Sequence, residues 1–137
     1  MTLHKPRKDE ENELPIAEVW RPTIEQVVRR FVAGDYALGE AVPGVAPVSA
    51  ETATQILGYV EAYGATLVAL DPEAWESSVS LWMGDKWEVL VDLWTEDEGP
   101  SDLVLHLYVR EDGPGYRFEV HLVYVPRPVV PSAREEV

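Results

Sequence analysis

Near residue 65 the apolar residues of this chain change period, and that change decides what it can fold into. Before it, Ile24, Val27, Val28, Phe31 and Val32 recur at helical intervals up to Gly34. Pro22 and Thr23 precede Gln26 with the spacing of a capping box. Asp35 to Val48 holds Gly39, Pro43, Gly44 and Pro47 and reads as a loop. Ser49 can cap a second helix, with Glu51 in its first turn, Ala53, Ile56, Leu57, Val60 and Tyr63 on one side, and Gly64 to end it. Beyond residue 65 the pattern turns to alternation. Ala65–Leu70 reads as a first strand, and Asp71 and Pro72 open a short helical turn. Lys86–Thr95, Asp102–Arg110 and Tyr116–Val125 are then strands separated by segments rich in turn residues. The pattern predicts an α+β domain, with two N-terminal amphipathic helices packed on one face of a four- to five-stranded antiparallel meander.

Alternation assigns the faces. Trp87, Val89, Val91, Leu93, then Leu103, Leu105, Leu107, Val109, then Tyr116, Phe118, Val120, Leu122 and Tyr124 form an apolar wall for the helices to cover. The other face carries Glu88, Leu90, Asp92, Trp94, then Val104, His106, Tyr108, Arg110, then Arg117, Glu119, His121 and Val123. Hairpins closed symmetrically over their turns place Asp92, His106 and His121 in one row and Glu88, Arg110 and Arg117 in another, with Leu90, Tyr108 and Glu119 between. The first hairpin stays open: a two-residue Gly84–Asp85 loop pairs Trp82 with Trp87, and a longer loop shifts that register.

The length of 137 residues and the 46% apolar content suit one domain, expected over residues 14–126, with flexible tails at 1–13 and 127–137. Between Asp35 and Val109 stand 14 acidic residues and one basic residue, Lys86, so nearly all of the formal net charge of −14 lies there. Such a surface repels phosphate backbones and anionic membranes and speeds encounter with a basic partner. The chain has no cysteine, no apolar run of membrane-spanning length and no leader-like start, which predicts a cytoplasmic protein.

No nucleophile elbow, His-Glu-x-x-His helix or glycine-rich phosphate loop is present. The row of Asp92, His106 and His121 has the ligand types of a zinc or ferrous site and is the one arrangement to carry a small metal-dependent or acid/base enzyme. It depends on a guessed register, so no metal or other cofactor is expected. Trp87 belongs to the wall, whereas Trp20, Trp75, Trp82 and Trp94 fall at element edges or on the mixed face. Trp94 with Val104 and Val123 would make an apolar strip, bare or covered by Leu14–Val19 or the 35–48 loop.

The segments LPIAEVWRP at 14–22, GDY at 34–36, YGATL at 63–67 and WEVLVDLW at 87–94 resemble a family of small bacterial domains of unknown function over about residues 14–126. In size, acidity and layout the chain also looks like the immunity proteins that neutralise toxins in bacterial competition. Together these features predict a non-enzymatic acidic protein-binding module, monomer or homodimer, that masks a basic protein such as a toxin. Glu88, Asp92, Trp94, Glu96, Asp97 and Glu98 are its expected contacts. A homo-oligomeric scaffold paired through the mixed face is the third reading.

Overall fold

A computed structural model describes residues 6–126. The chain enters through a two-residue strand β1 (Leu14–Pro15) and a 3₁₀ turn (Glu18–Trp20) that feeds α1 (Arg21–Val32). No side chain caps α1, and Thr23 lies inside the helix, so the expected capping box does not form. The 3₁₀ turn and Pro22, whose fixed φ suits a first helical turn, start the helix instead. At α2 (Ala50–Tyr63) the Ser49 side chain accepts from Thr52 N–H. Gly64 ends this helix at φ 82°, where any side chain would be strained.

The second half is an antiparallel sheet: β2 (Leu67–Val68), β3 (Val79–Trp82), β4 (Trp87–Thr95), β5 (Gly99–Asp112) and β6 (Gly115–Tyr124), with a short α3 (Ala74–Ser77) before β3. Counting β1, the sheet has six strands in the order β1-β3-β4-β5-β6, and β2 also lies on β4. The domain is therefore α+β as expected, but the two-helix start and the four- or five-strand sheet need correcting. A strand and a 3₁₀ turn precede α1, α3 interrupts the second half, and two-residue strands extend the sheet. The 65–70 segment pairs only at Leu67 and Val68. Trp82 faces Trp87 across the two-residue loop.

One edge of β4 is shared. β3 covers it from Trp87 to Leu90 and β2 at Trp94 and Thr95, leaving a gap at Asp92. There Ser78 Oγ accepts from Asp92 N–H at 2.9 Å and donates to Ala74 O, replacing the missing ladder partner.

The core lies between the wall and the helices: Ile24, Val27, Val28 and Phe31 of α1 and Ile56 and Val60 of α2 join Trp87, Val89, Val91, Leu93, Leu103, Leu105, Leu107 and Val109 in one cluster. Trp20, expected at an element edge, has no exposed surface and packs edge-on against Trp87 and Tyr116, centroids 5.0 and 5.8 Å away. Trp75, likewise expected at an edge, is also buried. Within the expected tail 1–13, Trp87 Nε1–H donates to Arg7 O, and Lys8 pairs with Glu111. The expected tail at 127–137 lies outside the described residues.

Two irregularities redraw the predicted rows. The β4–β5 turn closes on Thr95 and Gly99, earlier than strands ending at Thr95 and starting at Asp102 would give, and between Asp92 and Trp94 the register slips back by two residues; Leu90, not Asp92, then faces His106, and Asp92 faces Val104. An even slip keeps every side chain on its predicted face. Ser101 Oγ fills the irregular stretch, donating to Leu93 O and accepting from Leu103 N–H. In β6 one extra residue, His121, enters between the His106–Leu122 and Leu107–Val120 pairs. A single-residue bulge reverses the sides beyond it. Val123, expected outside, is fully buried, and Tyr124, expected in the wall, emerges beside His106.

Candidate functional site

On the outer face the bulge gathers Glu88, His106, Tyr108, His121 and Tyr124. The rings of His106 and His121 are 4.8 Å apart, and Tyr108 lies 5.1 Å from the first and 5.4 Å from the second. Tyr124 Oη is 3.3 Å from His106 Nδ1. Glu88 Oε2 is 3.1 Å from Nε2, close enough for charge attraction but without the alignment of a hydrogen bond. Lys86 sits over the Tyr108 ring. His106 is only 8% exposed. Burial is the main reason that its pKa lies below the ordinary imidazole value of 6.5; His121 pushes the same way and Glu88 opposes both. Burial, Glu88 and Tyr108 raise the Tyr124 phenol.

This arrangement has a consequence for stability. A folded imidazole with a depressed pKa binds fewer protons than the unfolded one, so stability present above pH 6.5 is lost as pH falls through that value and levels off below the folded pKa. NMR titration of the His106 ring is expected to give a midpoint below 6.5, and His106→Gln to flatten the loss of urea resistance on acidification to pH 5.5. A midpoint at or above 6.5 would contradict the burial argument.

Asp92 is not part of this group. It fills the gap between β2 and β3, where its Oδ2 accepts from Ser77 Oγ at 2.5 Å. The predicted triad of Asp92, His106 and His121 therefore does not assemble, because the β4–β5 turn closes earlier than expected, on Thr95 and Gly99, and the two-residue slip recovers only part of the displacement. Among the described residues no three His, Asp or Glu side chains converge to hold a metal.

The acidic contacts divide in the same way. Glu96 and Asp97 are exposed at the β4–β5 turn. Glu98 accepts from Tyr63 Oη at 2.6 Å and from Thr95 Oγ1, and Tyr63 Oη in turn accepts from Asp102 N–H. These bonds pin the turn to the C-terminal end of α2. The Tyr63 phenol is held above its usual pKa: the bond from Asp102 N–H, the largest single influence, lowers it, but Glu98, burial and the Asp102 charge together outweigh that bond. Helical periodicity put Tyr63 on the core side of α2 and could not show that its hydroxyl reaches the turn. Trp94 covers the Gly99 turn, where a Cβ would come within 3.4 Å of its ring. The strip with Val104 and Val123 does not exist, since Val123 is inside. Neither segment proposed to cover it lies there: Leu14 and Pro15 pair with β3, and Val45 bridges Phe118.

The model of one family, a domain of unknown function designated DUF7668, matches residues 28–126. The chain belongs to that family. The DUF7668 match opens within α1 and closes just after β6, so it takes in α2, α3, both irregular stretches and the acidic turn. Ile16, Trp20, Ile24 and Val27, all buried, precede it. No curated protein and no solved structure matches the chain.

Proposed function

We propose that this domain is an acidic protein-binding module that engages a basic partner, with the pinned β4–β5 turn as part of its contact surface. One observation carries the reading. Of the 14 acidic residues between Asp35 and Val109, only Glu40 and Asp85 come within 4 Å of a Lys or Arg group among the described residues, and Glu88 meets only the His106 imidazole, whose pKa is depressed. A field left uncompensated within the fold steers a cationic partner toward it and is screened by salt. An immunity-type protein masking a basic toxin in a bacterial cytoplasm is the most specific form of this reading. Among the described residues no helix is long and apolar enough to cross a membrane. The enzyme reading loses its triad; the two histidines with Glu88 and Tyr124 still offer proton-transfer groups, but His106 is almost closed off from solvent.

The turn also defines the test. Glu98 holds Tyr63, so changing it would disturb the helix contact as well as the charge. The informative variant is Glu96→Ser with Asp97→Ser, which removes two exposed charges and no side-chain bond. A partner captured from the source cells at low salt is expected to be basic, and its association rate with the protein to fall about tenfold or more from low to high salt. The double variant is expected to slow association at low salt and to reduce that salt dependence, with its melting temperature unchanged. A rate indifferent to salt would defeat the reading.

A further inference from the structure

Beside β6, α2 leaves an open groove of about 380 Å³ lined by Gln55, Gly58, Tyr59, Ala62 and Leu122. Tyr59 and the neighbouring Leu57 are 48% and 39% exposed. The glycine is the informative residue. Gly58 stands in the interior of a helix, where glycine is less favourable than alanine, and it has no positive φ to justify it. A Cβ built there meets nothing within 4 Å. The fold has no use for a glycine at this point; its effect is to deepen the groove and let another backbone come close. Among the described residues, the charge on α2 and the turn tied to it has one sign. Glu51 and Glu61 are the only charged residues of α2, both exposed, and the turn bearing Glu98 and Asp102 is tied to the same helix end by Tyr63.

We propose that this groove seats an amphipathic basic helix of the partner, with an apolar side chain over Gly58 and flanking Lys or Arg residues against Glu51, Glu61 and the acidic turn. The inference rests on the basic-partner reading and adds where and how the partner docks. A helix is the occupant because Gly58 and Ala62, one turn apart, leave a low surface on which a second helix axis can pack closely. Apolar contact then sets affinity and the acidic rim sets polarity.

Three fluorescent 14-residue peptides matched to the length of α2 test this by anisotropy: a helical Leu/Lys amphipath, a Lys/Ser peptide of equal charge, and a Leu/Glu amphipath. The Leu/Lys peptide is expected to bind about tenfold or more tightly than the Lys/Ser peptide, the difference one well-seated anchor makes, and the Leu/Glu peptide not to bind. Gly58→Leu, which fills the groove at an open helix position, is expected to erase the advantage of Leu/Lys over Lys/Ser while the melting temperature holds or rises. Glu51→Lys with Glu61→Lys should weaken both basic peptides without altering the groove. Equal binding of the two basic peptides, or an advantage that survives Gly58→Leu in a folded protein, overturns the groove and leaves the acidic reading standing. No binding of either basic peptide removes both.

Discussion

Trp20→Ala is expected to lower stability by about 3–5 kcal/mol, a large share of the roughly 5–15 kcal/mol typical of a domain. The side chain has no exposed surface and fills the space between α1 and the start of β4, edge-on to Trp87 and Tyr116. Its removal forfeits the transfer energy of a large aromatic and leaves a cavity that Trp87, itself held by Arg7 O and packed on Trp82, is poorly placed to fill. One effect opposes the loss. Among the described residues Trp20 Nε1 has no hydrogen-bond partner, so the substitution also removes a buried donor whose burial costs about 1–3 kcal/mol. Trp20→Phe isolates that effect: it keeps much of the ring, discards the donor, and is expected to lose far less than the alanine variant. Urea denaturation at constant m separates the two. An alanine variant within about 1 kcal/mol of the wild type would mean that the aromatic cluster is not a core.

The sequence revealed some parts of this protein and hid others, and the division follows the range of the forces involved. Local signals were legible. Ser49 and Gly64 bound α2 as read, because capping and positive φ are matters of a few adjacent residues. The odd residues of β4 and those of β5 from Leu103 to Val109 are buried as alternation requires, since the side-chain period is a property of the strand itself. Features that depend on a second segment were not legible. The gap between β2 and β3 at Asp92 is occupied by serines from α3 and its end, and the β4–β5 turn closes on Thr95 and Gly99 with a two-residue slip beyond it. Nothing in the strand's own pattern marks that gap. The hydrogen bond that ties Glu98 to α2 comes from a tyrosine 35 residues away. Trp20 looked like an edge residue because it precedes its helix, yet the 3₁₀ turn swings it into the core.

The bulge at His121 did most to change the candidate site, and Val123 tests it directly. Unbroken alternation puts Val123 on the outer face and Tyr124 in the wall; the extra residue reverses them, leaving Val123 opposite Leu105 with no exposed surface. Val123→Asp is therefore expected to bury an unpaired carboxylate among apolar side chains, at a cost of about 3–5 kcal/mol, unless the group protonates or the strand end unpairs. His121→Asp, one residue before the paired stretch and exposed, is the matched control and is expected to change stability by no more than about 0.5 kcal/mol. The two variants add the same charge to the same strand, so net repulsion in an already acidic protein cancels in the comparison and only the facing differs. If β6 instead ran without a bulge, His121 and Val123 would share the outer face, both variants would be harmless, and Tyr124 could not reach His106. A small loss for Val123→Asp would thus remove the Glu88–His106–Tyr124 grouping together with the bulge that creates it.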